Sequence, residues 1–227
     1  NGNSPAKKRW TDRGKWGMIE LVFKTTEQRG SWNSMAEQNT KREQILRTTL
    51  ELILENGLQA ASMSLISRRA EVPVGTIYRI FPGKEALVNA LYQECRDLLF
   101  ASITDPQGED LPPREAFHAM FGRYIRTALE HREEFLFVEQ YHLSPVISEE
   151  GRIGTDFRLG QRSLTELTRD GVLRDLDPLI LDAVVLGTAN QLLCLHFAGH
   201  LALDDAAIRA ALDACWHAIA ATPRLTE

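Results

Sequence analysis

Ser62-Met-Ser-Leu-Ile-Ser-Arg-Arg-Ala-Glu-Val-Pro-Val-Gly-Thr-Ile-Tyr-Arg-Ile-Phe-Pro-Gly-Lys-Glu-Ala-Leu87 decides the fold. Ser62 is a good N-cap, and Leu65, Ile66 and Ala70 fall on the inner side of a short helix that reaches Ala70. Glu71-Val72-Pro73 breaks it. A second short helix runs from Val74 to Ile80 and ends because Phe81 precedes Pro82, a position disfavoured from helical dihedrals. Pro82-Gly83 forms a corner, and Lys84 opens a longer amphipathic helix to about Thr104 carrying Leu87, Leu91, Leu98 and Phe100. Upstream, from Thr40, Ile45, Leu46, Leu50, Ile53, Leu54 and Leu58 recur at three- and four-residue steps, with Gly57 where a helix commonly stops. Two short helices joined by a tight turn and packed on a longer first one make a helix-turn-helix, which lays its second helix in the major groove of DNA.

Spacing alone is weakly specific; the residue pattern is not. Gly75-Thr76-Ile77-Tyr78-Arg79-x-Phe81-x-x-Lys84-Glu85-x-Leu87 resembles the signature of the TetR/AcrR family of transcriptional regulators, and the resemblance covers about residues 40–92. Each position has a physical task. Gly75 lets the backbone approach phosphates, and Thr76 offers a hydroxyl and a methyl to a phosphate or a thymine. Tyr78 presents a phenol to a phosphate, and the Lys84 cation can pair with the DNA backbone. Ile77 and Phe81 are core anchors. The resemblance implies that base reading falls to Val74 and Thr76, assisted by Ser64. Simpler readings stand beside these: Tyr78 as a packed aromatic, Lys84 as a solvated charge, and Arg68 and Arg69 as either solvated or DNA-facing. Three positions depart from the family pattern. Glu71 holds the turn position usually given to Gly, and must accept a left-handed conformation or reshape the turn. Pro73 replaces a polar cap, and Val74 replaces a frequent Lys or Arg, exchanging a phosphate or guanine contact for one a thymine methyl could make.

The net charge of −5 discourages a nucleic-acid reading until it is divided along the chain. Residues 1–34 carry seven Lys/Arg against three Asp/Glu, residues 35–100 balance at eight against eight, and residues 101–227 hold eleven against twenty. Any DNA contact therefore belongs to the N-terminal third. Residues 1–34 have no sustained periodicity and read as a disordered or non-native extension ahead of Met35, with a basic DNA-following arm as the competing reading. Cys95, Cys194 and Cys215 lie in apolar helical runs without C-x-x-C spacing, as buried thiols of a reducing cytoplasm would. The longest weakly polar stretch, Ala183 to Gly199, is interrupted by Asn190, Gln191 and His196 and falls short of the ~20 apolar residues a membrane span needs, so no membrane partner and a cytoplasmic location are expected.

The organisation expected is all-α: an extension over 1–34, a helix-turn-helix domain over 35–83, a connecting helix over 84–104, and a ligand-binding and dimerisation domain over 105–227. Asp105 to Pro113 is the clearest linker, and helices follow at about 114–130, 132–143, 148–170, 178–198 and 204–221. The resemblance implies a ligand pocket in this half and a homodimer through the last two helices. Helix 178–198 is apolar over most of its circumference, so it needs cover on more than one side. Polar groups on apolar helices mark the candidate pocket: Tyr124, Gln140, His142, Asn190 and Gln191, near Phe117, Phe121, Phe135, Phe137 and Phe157. Phe121, Tyr124, Gln140, His142, Phe157 and Asn190 are the set most suited to an amphipathic or hydrophobic small molecule; satisfied core residues are the simpler reading of each. No cofactor and no enzyme chemistry are expected. His196 and His200 lack the glutamate of H-E-x-x-H, Glu139-x-x-His142 lacks the second such motif of a di-iron site, and Ser144 lacks a nucleophile elbow. The reading is a repressor released from a palindromic operator in double-stranded DNA by an effector. Its alternatives are a helical interaction module that has lost DNA binding and, further off, a helical metalloenzyme.

Overall fold

The computed structural model describes residues 26–104, 111–152 and 164–221, with side chains from residue 39 onward apart from residues 102 and 104. Most of the expected linker, the middle of the expected helix 148–170 with Phe157, and the extension 1–34 apart from some backbone lie outside the described residues. The chain divides into two compact units, residues 1–44 and residues 45–227, and both hydrophobic cores belong to the second.

Among the described residues the fold is all-α, with one isolated antiparallel bridge between Leu173 and Ala220. The elements are α1 (Thr26–Ala60), α2 (Met63–Arg69), α3 (Val74–Ile80), α4 (Lys84–Thr104), α5 (Pro113–Glu130), α6 (Arg132–Tyr141), α7 (Glu149–Arg152), α8 (Pro178–Phe197) and α9 (Asp205–Ile219). Residues 164–169 are also helical. The backbone of α1 begins well before Thr40, where periodicity first appears. Periodicity reports a packed face, whereas a proline-free run with Glu, Gln, Met and Ala can be helical without one. Gly57 kinks α1 with φ 79° and ψ 161°.

Local chemistry sets the short helices. Ser62 Oγ accepts from the Leu65 N–H at 3.2 Å and caps α2. Phe81 is extended at φ −126° and ψ 112° before Pro82, which terminates α3. Glu71 takes the left-handed conformation, φ 52°, rather than reshaping the turn, and Ser67 Oγ braces the turn by donating to Val72 O at 2.7 Å.

The first core joins Ile45, Leu50 and Ile53 of α1 to Ile66, Ile77, Phe81, Leu87 and Leu91. It is closed by Phe137 and Tyr141 of α6 and by Ile147 beyond it, so residues far along the chain complete the packing under the helix-turn-helix. The second core is built on α5, α8 and α9, around Phe117, Phe121, Tyr124, Leu181, Leu193 and Leu212, with Leu99 of α4 reaching into it. α4 thus contributes to both.

Within the chain α8 buries only a stripe at Leu181, Val185, Ala189 and Leu193, and 22% of its most apolar window is covered. By length and composition it could cross a membrane, with a window hydropathy of 1.6. This corrects the expectation drawn from Asn190, Gln191 and His196: three polar side chains do not lower the mean enough to fail that test.

The left-handed glutamate yields a stability prediction. Glu71→Gly removes a Cβ clash of about 1–2 kcal/mol and adds backbone freedom to the unfolded chain, so a net gain of about 0.5–1 kcal/mol is expected in urea denaturation. A lowered midpoint would show that the side chain does more than occupy the turn.

Candidate nucleic-acid interface

Seven residues make a helix only where tertiary contacts hold it, and α3 is held by Ile77, which has no exposed surface, and by Phe81 just beyond it. Burying a side chain of this size contributes about 1.5–3 kcal/mol. The opposite arc is left to solvent: Val74, Gly75, Tyr78 and Arg79 are exposed, Val74 at 42% and Tyr78 at 51%. Helical spacing puts Val74 beside Tyr78, and Gly75 beside Tyr78 and Arg79. Thr76 is half-buried at the margin, with its N–H donating to Pro73 O at 2.8 Å. Ser64 is exposed in the first turn of α2.

Gly75 is informative because nothing in the chain requires it. A Cβ built there meets no atom within 4 Å, and its φ is not in the left-handed range. Glycine in a helix costs about 0.5–1 kcal/mol relative to alanine. A glycine that internal packing does not ask for fits a backbone that something outside the chain approaches closely.

The cations around this face also make contacts within the chain. Lys84, expected on the DNA backbone, directs its ammonium to the end of α1, donating to Leu58 O at 2.5 Å and Gln59 O at 3.3 Å. Carbonyls left over at a helix C-terminus attract such a donor. Partial burial lowers its pKa below the usual lysine value. Arg69 is committed to Glu55 through two bonds, 2.7 and 3.1 Å, which fasten α2 to α1. Arg68 and Arg79 are exposed.

The candidate effector residues separate into two places. Tyr124 Oη donates to Asn190 Oδ1 at 2.7 Å, and Asn190 Nδ2 donates to Glu139 Oε2 at 3.1 Å. Burial, then the Glu139 charge, push the Tyr124 phenol far above its ordinary value, so it stays a neutral donor. Phe121 is buried 4.9 Å from Phe117 in the second core, which Phe135 shares. Gln140 and His142 do not join them. Both are exposed near the C-terminal end of α6, where the chain packs on the first core, and His142 Nδ1 lies 3.0 Å from Tyr92 Oη. Phe137 also belongs to the first core, Gln191 is exposed, and Phe157 lies outside the described residues.

Sequence reasoning missed the contacts that fasten the end of α6 and the following corner. Tyr141 Oη accepts from the Leu58 N–H at 3.3 Å, Asn89 Nδ2 donates to Val146 O at 2.7 Å, and Asn89 Oδ1 accepts from the Ser148 N–H at 2.7 Å. An asparagine inside an amphipathic helix pattern was the one available signal. Among the described residues no group of three His, Cys, Asp or Glu is placed to hold a metal. His196 Nδ1 lies 3.0 Å from Leu201 O and 3.2 Å from the Leu203 nitrogen, and so fastens the turn after α8. The cysteines are free, and burial pushes the Cys95 thiol up to about 12.

Comparison with known proteins finds relatives of the same all-α fold. Residues 45–91 match the profile of the bacterial regulatory proteins of the tetR family, and residues 112–220 match the tetracyclin repressor-like C-terminal domain. The HTH-type transcriptional repressor KstR of Rhodococcus jostii is 39% identical over 84 residues, 37% of each chain. The HTH-type transcriptional regulator SAR0097 of Staphylococcus aureus is 32% identical over 121 residues, 51% of this chain and 62% of that protein. The chain therefore spans less than two thirds of the length of these curated relatives. A TetR family regulator from Marinobacter aquaeolei superposes with a TM-score of 0.76 at 20% identity, covering 83% of this chain and 100% of the other, a likeness of fold. A putative TetR family regulator from Vibrio parahaemolyticus does so at 0.67 and 27% identity, covering 80% and 100%.

The Lys84 geometry predicts that Lys84→Met lowers unfolding stability by about 1 kcal/mol, a charged hydrogen bond discounted for exposure, and leaves the salt dependence of duplex binding unchanged. A log-log slope shallower by about 0.9, the signature of one lost phosphate contact, would return Lys84 to the DNA.

Proposed function

The chain belongs to the TetR family of bacterial regulators, and from that premise we propose that it is a transcriptional repressor whose α2 and α3 bind an operator in double-stranded DNA. The observation that carries this is the exposed arc of α3, with a glycine that internal packing does not need. Ser64, Val74, Gly75, Thr76 and Tyr78 form the DNA face, with Arg68 and Arg79 as flanking cations. The acidic surplus of residues 101–227 would be repelled by phosphates, so in this reading the duplex is met by the N-terminal part of the chain alone. Two copies bind together, each covering the exposed apolar surface of the other's α8 and α9, so the operator is a pseudo-palindrome.

Release is by linkage. A small amphipathic molecule binding near Phe121, Tyr124 and Asn190 favours one arrangement of α5, α6 and α8. The α6 corner, fastened to Asn89, Tyr92 and Leu58, carries that preference to α4 and to the end of α1, changing the separation of the two α3 helices. Effector then weakens DNA binding by the factor by which DNA weakens effector binding.

Selection of bound sequences from random duplexes with the full chain is expected to return a twofold-symmetric site. Gly75→Ala should raise unfolding stability by about 0.5 kcal/mol yet weaken binding to the selected duplex at least about tenfold, because the new methyl separates backbone from phosphate. A variant that gains stability and keeps full affinity defeats the reading of this face. For release, a compound that raises the Tm of the chain is titrated with and without the selected duplex. Equal mutual weakening is expected, and operator affinity indifferent to every such compound would remove the effector from the proposal.

A further inference from the structure

We infer that Val74 makes α3 a reader of the carbon-5 methyl group of pyrimidines, so that 5-methylcytosine serves in place of thymine at one position of each half-site. The inference rests on the DNA-binding reading of α3 given above and specifies what that face recognises.

Residues at the start of a groove-bound helix are the ones that meet base edges. Here the first exposed residues are Pro73 and Val74, and neither side chain can donate or accept a hydrogen bond. Pro73 also lacks an N–H, and no side chain caps this end. The leading end of the helix is therefore apolar in its side chains. The turn behind it is firmly placed: Val72 is buried, Ser67 bonds to its carbonyl, and Glu71 fixes the left-handed step. Val74 is thus delivered from a firm base.

A valine pressed against the major-groove edge of guanine, adenine or unmodified cytosine covers groups that want hydrogen bonds and returns none. The carbon-5 methyl of thymine is the apolar group that the four ordinary bases offer there. Contact with it favours thymine, and covering polar edges disfavours the rest. Of the neighbouring cations, Arg69 is held by Glu55 and Lys84 by the carbonyls of Leu58 and Gln59, while Arg68 and Arg79 flank the face and are left to the phosphates, which carry no base identity. Cytosine methylated at carbon 5 carries the same methyl at the same place. Because Val74 makes no hydrogen bond, the N4 amino group that distinguishes cytosine from thymine is not what it recognises.

The test uses the full chain and the duplex selected from a random pool, with Kd measured by fluorescence anisotropy at fixed salt. Each thymine is replaced in turn by uracil, and the position that responds is then rebuilt as cytosine and as 5-methylcytosine opposite guanine. Removing one methyl is expected to weaken binding about fourfold per half-site, and about fifteenfold when both half-sites are changed, in the thymine-to-uracil and the 5-methylcytosine-to-cytosine pairs alike. In Val74→Ala, whose fold is checked by circular dichroism, both ratios should fall towards one. A selected duplex bound with no methyl-sensitive position, or with a methyl sensitivity that Val74→Ala leaves intact, overturns the inference while the repressor reading stands. Failure to select any duplex overturns both.

Discussion

The structure depends on one constraint: α3 is too short to exist by itself. Its seven residues are helical because Ile77 and Phe81 are drawn into the first core, between α1, α2 and α4. The same burial decides which residues face outward. With Ile77 turned in, the helical repeat leaves Val74, Gly75, Tyr78 and Arg79 outside. The face proposed to meet DNA is thus the complement of a packing requirement, and its precision derives from the anchor beneath it.

The first core is not closed by the helix-turn-helix alone. Phe137, Tyr141 and Ile147 complete it, and Asn89, Tyr141 and Tyr92 add hydrogen bonds at the same seam. Displacing the end of α6 would open apolar surface and strip polar groups of their partners together, so the corner favours discrete arrangements over continuous sliding. α4 lies along both cores, with Leu91 in the first and Leu99 in the second. Under the proposed function, this construction lets a small rearrangement near Tyr124 reach α3.

Features written in local chemistry were legible in the sequence. Ser62 caps and Phe81 stops because each effect is decided within a few residues, and at Glu71 the sequence marked the strained turn position while leaving open the left-handed conformation that the structure shows. Features decided by distant partners were not. Lys84 turns to Leu58 and Gln59, and Arg69 to Glu55, and no pattern around either residue announces it. Gln140 and His142 looked like pocket residues because α6 is apolar on its inner side, but that helix serves two cores and its periodicity does not say which core a given turn faces. The early start of α1 was hidden because residues 26–39 carry no apolar periodicity from which a helix could be read.

The uncovered surface of α8 raises a choice that physical chemistry can weigh. An apolar helix of this length suits either hydrocarbon or another protein surface. In hydrocarbon its polar residues would be a burden: Asp182 is half-buried with its carboxyl pKa raised by desolvation, and Asn190 is committed to a hydrogen-bonded chain from Tyr124 to Glu139. α8 is also packed along one stripe against α5 and α9, whose outer residues include Arg126, Asp205 and Arg209, charged groups that would be carried into the bilayer with it. A second copy of the same surface requires none of this. It would cover the apolar arc while leaving the charged margins in water, and the small residues Gly187 and Thr188, both exposed at the middle of α8, would let two such helices approach closely. Under the proposed function, twofold cover at α8 and a twofold operator at α3 would be two expressions of a single symmetry axis.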